Sequence, residues 1–241
     1  MENVQYKIHY TISDTHWWTV STNKLISNFV ECFIPEGSLI LDAGCGVGGI
    51  FLFLKDKYTC YGLDSSEIAL NFCKIKMPNC QLIRGSVENL PFPTNTFKGV
   101  LSMDVLYQNA VRDDKAALAE MARVLVPGGC LFLNLPAYKW MASSHDSFAH
   151  SARRYTSRQL HELLRGSGFN IVRLSYRVSI LFPIAVIQRK ILNRTKSSDL
   201  NSLPEWLNTL LKGVMTLENS YLLNHDLPFG LSVIAIARKM I

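Results

Sequence analysis

Asp42 stands two residues ahead of Gly44 in Leu39-Ile40-Leu41-Asp42-Ala43-Gly44-Cys45-Gly46-Val47-Gly48-Gly49, a run that passes from apolar residues through one acid into glycines. The apolar part reads as a buried parallel strand. The glycines read as a turn that lets the backbone approach a ligand before a helix begins at about Val47. Gly44, Gly46 and Gly49 also fit the G-x-G-x-x-G spacing of dinucleotide-binding turns, a weak signal when it stands alone. A carboxylate inside that turn repels a pyrophosphate and attracts an ammonium group, while helix N-terminal amides in the same turn suit a carboxylate. The pattern therefore fits a nucleotide-type ligand carrying a cationic amine beside a carboxylate.

The elements that position these residues follow from periodicity. Tyr58–Asp64 is a second strand ending in an acid 20 residues beyond Gly44, where a carboxylate can accept both hydroxyls of a ribose. Ser65-Ser66-Glu67 then caps a helix running to about Met77. Gln81–Arg84 reads as a third strand, Thr96–Met103 as a fourth, and Lys115–Val126 as an amphipathic helix stopped by Pro127-Gly128-Gly129. Cys130–Leu135 is the fifth strand, Thr156 caps a helix to Arg165, Phe169–Tyr176 is the sixth strand and Leu231–Ala237 the last. One or two helices precede the first strand and hold Tyr6, Trp17 and Trp18, an aromatic cluster placed to fold over the ligand. Between the sixth and last strands lie two helical pieces, Ile180–Leu192 and Leu203–Leu223. The first is apolar enough to be an acceptor lid, core, a dimer contact or a segment resting on a membrane surface.

The turn D-x-G-x-G-x-G resembles the first motif of class I S-adenosylmethionine (SAM)-dependent methyltransferases. Gly85-Ser86-Val87-Glu88-Asn89-Leu90-Pro91-Phe92 resembles that family's G-D-A-E-x-L-P-F, with Ser86 where an acid is usual. Asp104-Val105-Leu106-Tyr107-Gln108 resembles its D-V-L-E-H, with Gln108 where a histidine is usual. The amphipathic helix, P-G-G and following strand continue the likeness, which spans roughly Ile40 to Leu135. His16-Trp17-Trp18, the stretch through His145-Asp146, His150 and Arg153-Arg154-Tyr155-Thr156, and Pro228-Phe229-Gly230-Leu231-Ser232 resemble a bacterial, type 11/12-like branch.

The resemblance implies an α/β Rossmann-like sheet of seven strands in the order 3-2-1-4-5-7-6, the last antiparallel, with N-terminal helices and a helical insertion before it. It implies one domain over 1–241, with a cap at 1–35, a core at 36–176 and 227–241, and an insertion or lid at 177–226. It also implies transfer of a methyl group from SAM to a small-molecule acceptor, leaving S-adenosylhomocysteine. Asp42, Ala43, Gly44, Cys45, Gly46, Asp64, Ser65, Ser86, Val87, Glu88 and Met103 are the expected cofactor residues. His145 and His150 are candidate general bases. Trp17, Trp18, Tyr107, Arg153 and Tyr155 are candidate acceptor contacts, with Arg154 as an alternative to Arg153.

The chain of 241 residues, 48% hydrophobic, suffices for one large core. Residues 1–120 hold 10 Lys/Arg against 13 Asp/Glu, and residues 121–241 hold 15 against 6, so the half expected to build the acceptor side is basic. That favours an anionic substrate, an anionic membrane surface or nucleic acid over a cationic partner, and the acceptor itself is expected to be a small molecule, anionic or apolar. No added nucleic-acid module argues for an RNA, although an RNA or protein methyltransferase and a non-catalytic partner subunit remain alternatives. An NAD-linked oxidoreductase is opposed by Asp42 and by the absence of a second nucleotide-binding half. Six scattered cysteines without a C-x-x-C pair indicate buried thiols and no metal site, and the first residues lack a signal-peptide pattern, so the expected location is cytoplasmic.

Overall fold

The computed structural model describes residues 3–142, 151–191 and 203–240. Helices α1 (Asn3–Ile12) and α2 (Trp17–Phe33) precede β1 (Leu39–Ala43), α3 (Phe51–Leu54), β2 (Thr59–Asp64), α4 (Glu67–Lys76), β3 (Gln81–Arg84) and β4 (Phe97–Met103). Then follow α5 (Asp114–Val124), β5 (Leu125–Pro136), α6 (Ser157–Gly166), β6 (Phe169–Arg177), α7 (Phe182–Val186), α8 (Glu205–Leu222) and β7 (Ser232–Lys239). The strands form one seven-stranded sheet in the order β3-β2-β1-β4-β5-β7-β6, as expected. β1 pairs in parallel with β2 and β4, and β7 runs antiparallel to both β5 and β6.

Alternation along the strands splits the core into two faces. Leu41, Val100, Leu131, Leu133, Val233 and Ala235 join Leu118, Met121, Leu160 and Leu164 of α5 and α6. Ile40, Leu101, Phe132, Ile234 and Ile236 join Leu25, Ile26, Phe29 and Val30 of α2, Leu54 of α3, Cys73 of α4 and Leu222 of α8. By the same alternation Asp42, Asn134 and Arg177 lie on the α2 and α8 face, near the C-terminal ends of β1, β5 and β6. At those ends the strand order reverses between β1 and β4, where open α/β sheets bind ligands.

Several boundaries depart from expectation. The helix expected near Val47 begins at Phe51 and lasts four residues. Gly44, Gly46 and Gly48 all hold positive φ (100°, 51° and 77°), which keeps the turn non-helical until it is past them. Pro127-Gly128-Gly129 lies inside β5 instead of ahead of it. Leu125 already pairs with Phe97, and the register shifts before Cys130 pairs with Gly99, with Gly128 at φ 70° easing the bend. The piece expected as a helix from Ile180 is a short α7 followed by a π turn over Ile187–Ile191. No described helix is long and apolar enough to cross a membrane.

Candidate functional site

A cavity of about 820 Å³ lies at the β1/β4 switch, walled by the glycine turn, the ends of β2 and β4, α1, α2, α7 and α8. Asp42 is only 3% exposed, and its Oδ1 has no hydrogen-bond partner. Burial, with the charge of Asp64 adding to it, pushes its carboxyl up to about 8. A cation brought against that orphaned oxygen favours the ionised form and offsets the burial. The Gly44 and Cys45 amides donate to Leu63 O at 2.7 and 2.9 Å, and the Gly46 amide donates to Asp64 Oδ2 at 2.9 Å. These amides therefore do not face a ligand carboxylate, and what the two glycines supply is room. No atom lies within 4 Å of a Cβ built on Gly46, while a Cβ on Gly44 would stand 2.2 Å from Val105. The Ala43 side chain is buried in the core instead of lining the cavity. The Cys45 thiol shares a hydrogen bond with the Cys73 thiol, both being free, and this with burial raises it well above the usual thiol range.

Asp64 Oδ1 accepts the Ser66 amide at 2.8 Å, so two amides lock this carboxylate and its remaining lone pairs are left for a ligand. Burial raises its carboxyl and the amide bonds oppose that rise. Ser65, Ser86, Val87 and Met103 line the same chamber. Ser86 Oγ accepts the Glu88 amide at 3.2 Å. Glu88 itself departs from expectation: its Oε1 accepts the Asp113 amide at 2.8 Å, which commits the side chain to the start of α5 and away from the cavity.

Trp17, Trp18 and Tyr107 line the cavity, with the two indoles edge to face at 5.5 Å. Trp17 is fixed by α8, since its amide donates to Asn208 Oδ1 at 2.8 Å. Arg153 and Tyr155 correct the sequence expectation of acceptor contacts. The Arg153 guanidinium donates to the carbonyls of Leu106 (3.1 Å), Val111 (2.8 Å) and Arg112 (2.7 Å), which spends it on tying the chain after β4. Tyr155 is buried and donates to Asp114 Oδ2 at 2.9 Å. Arg154 lines the cavity, its Nη1 donating to Ala137 O at 2.9 Å. His145 and His150 lie outside the described residues.

Asp104 and Arg177 join the site without having been picked out in the sequence, whereas Tyr6 was named there with the aromatic cluster. Tyr6 reaches the cavity from α1 beside Ser66 and Asp64, and burial raises its phenol. Asp104 ends β4 with left-handed backbone (φ 59°) and accepts from Asn134 Nδ2 at 3.0 Å. Arg177, fully buried at the end of β6, donates to Thr22 Oγ1 at 2.6 Å and stacks 5.4 Å from the Trp18 ring. The signal available for Arg177 is an arginine at the tip of the strand, directly after the buried Ser175 and Tyr176.

Comparison with known proteins agrees with this arrangement. The family described as a methyltransferase domain matches residues 40–129. An uncharacterized methyltransferase of Schizosaccharomyces pombe is 36% identical over 133 residues, covering 49% of this chain and 46% of that protein. The phthiotriol/phenolphthiotriol dimycocerosates methyltransferase of Mycobacterium tuberculosis is 33% identical over 144 residues, 56% of this chain and 52% of that one. The chain thus spans about half the length of these curated relatives. Among solved structures, the complex of the Haloferax volcanii Trm112 methyltransferase activator with its methyltransferase aligns at TM-score 0.65 and 18% identity, over 96% of this chain and 93% of that one. Residues 40–129 thus match a methyltransferase domain, set in a seven-stranded sheet of order β3-β2-β1-β4-β5-β7-β6.

Proposed function

We propose that the protein transfers a methyl group from SAM to a small, lipid-like molecule. The observation that carries the acceptor class is the far wall of the cavity, built from Leu181 and Ile184 at α7 and Leu203, Leu207 and Leu211 at α8. Apolar side chains gathered along one wall of a cavity favour an acceptor with a hydrocarbon body. The relative from Mycobacterium tuberculosis is named for a lipid acceptor, in keeping with this reading.

The residues present fit the cofactor. Asp42, a buried acid with an orphaned oxygen, suits its ammonium group, Asp64 suits the ribose hydroxyls, and Ser86 with the Val87 backbone suits the adenine. SAM supplies a methyl group already activated on a sulfonium. The chain's part is to hold donor and nucleophile in line and exclude water, and Trp17, Trp18 and the α7/α8 wall are placed for that. Residues 1–35 then act as a cap and residues 177–226 as an insertion of one domain, and α8 supports this by holding α2 through Asn208 and Asn219.

A second reading, transfer to RNA, has one relative in its favour. A tRNA (carboxymethyluridine(34)-5-O)-methyltransferase of Arabidopsis thaliana is 30% identical over 51% of this chain and 28% of its own length. The apolar wall favours the lipid-like acceptor. Calorimetry with S-adenosylhomocysteine is expected to show binding by the wild type and a loss of about tenfold or more for Asp64→Ala, since a charged hydrogen-bond partner is removed. Unchanged affinity would remove Asp64 from the cofactor site. Tritiated SAM offered with a lipid extract and, separately, with total tRNA is expected to label the lipid. Label confined to tRNA selects the second reading.

A further inference from the structure

We propose that Asp104 is the general base of the acceptor site and that the group it serves is a hydroxyl. This inference rests on the methyl-transfer reading above. Asp104 ends β4, the first strand beyond the switch from β1, and both of its neighbours, Met103 and Val105, line the cavity with it. Val105 abuts Gly44 so closely that a Cβ there would overlap its methyl groups, which fixes Asp104 beside the cofactor turn. Its left-handed backbone, φ 59°, is uncommon outside glycine and is held here by the Asp104 amide donating to Asn134 O at 2.9 Å. Asn134 Nδ2 occupies Oδ1 at 3.0 Å, which leaves Oδ2 for a ligand. Gln108, where the family has a histidine, donates its Nε2 to the Asp104 carbonyl at 2.8 Å and has no basic nitrogen to offer.

The groups around Asp104 suit a carboxylate that takes up a proton. Arg177 faces it from β6, with Nη1 on Thr22 and with Nε and Nη2 lacking a partner. Behind Arg177, Glu218 of α8 accepts the amides of Val178, Ser179 and Ile180. His16, Arg154, Asp42 and Asp64 line other parts of the same cavity. Burial pushes the Asp104 carboxyl up to about 6, while Arg177 and the Asn134 bond hold it down, so it is ionised yet basic at neutral pH. The bond to form joins the acceptor oxygen to the methyl carbon as the carbon–sulfur bond breaks. The hydroxyl proton passes to Asp104 Oδ2, and the bonding pair stays on sulfur as a neutral thioether. Negative charge developing on the acceptor oxygen meets the field of Arg177, a positioning residue, whereas an attacking neutral amine develops positive charge that the same field opposes. That difference selects oxygen over nitrogen.

The test compares the full chain with Asp104→Asn, using calorimetry with S-adenosylhomocysteine and transfer from tritiated SAM to a total lipid extract across pH. S-Adenosylhomocysteine affinity is expected to stay within about twofold, with transfer reduced about 100-fold or more. The wild-type rate is expected to rise through pH about 6 and the variant to lose that limb. Difference infrared titration of wild type against variant, without any ligand, is expected to show one carboxyl changing state in that range. Lost S-adenosylhomocysteine affinity, which makes Asp104 a cofactor contact, overturns the proposal, as does unchanged transfer with an unchanged pH profile. Label found on nitrogen or carbon overturns the choice of a hydroxyl. A wild type that labels nothing in the extract sinks the lipid reading itself, a result distinct from those. If Asp104→Asn does not fold, Asn134→Ala serves instead: losing a donor to the ionised form moves the wild-type limb to higher pH, and a limb that stays in place overturns the proposal.

Discussion

Asp42 illustrates how a single residue is left incomplete by the rest of its protein. Its carboxyl, raised from an ordinary 3.8 to about 8 by burial, binds a proton in the folded chain across a range where the unfolded chain has lost it. A raised carboxyl of this kind lends stability below the unfolded value, and that contribution is lost as pH climbs through the folded one. Asp42→Asn is therefore expected to stabilise the ligand-free protein by roughly 1–3 kcal/mol at pH 7 and to flatten its loss of stability between pH 4 and 8, read by chemical denaturation. The same change is expected to weaken S-adenosylhomocysteine binding, because the orphaned oxygen no longer carries charge for the ammonium. Asp42 was legible in the sequence because strand, acid and glycines are contiguous. Asp104 and Arg177 were not, since 73 residues separate them and only the sheet order brings the tips of β4 and β6 to one floor.

Arg153 shows why some element-level roles stay hidden in sequence. An arginine in a polar stretch reads as an anion binder, but its donors here go to three backbone carbonyls of the segment that joins β4 to α5. Nothing local encodes those partners, whereas the capping box of Thr156 and Gln159 three residues on is local and was readable. Arg153→Ala strands these carbonyls and is expected to lower stability by about 2–4 kcal/mol in denaturant unfolding. An arginine whose role was to touch the acceptor would leave the unfolding curve in place. Glu88 follows the same logic, since its partner is the Asp113 amide at the cap of α5. The helix boundary missed at Val47 has another cause: three successive positive-φ glycines prolong a turn that hydrophobic periodicity cannot see.

At the scale of the molecule, the cavity joins elements distant in the chain, with α1, α2, α7 and α8 lining it together with the strand tips. The sheet order that creates this floor was legible from the succession of strands and helices together with the family likeness, while the closure of α8 over α2 through Asn208 and Asn219 was not. One further consequence attaches to β7. Within the sheet β6 is hydrogen-bonded to β7 and to no other strand, and β7 is the last of the seven in sequence. A growing polypeptide on the ribosome therefore cannot seat Arg177 against the Trp18 ring until the residues after Leu231 have emerged. Nascent chains arrested before Ser232 are expected to be cut readily by protease between Phe169 and Leu222, and those released past Lys239 to resist. Birth of the cavity's floor thus waits on the final strand.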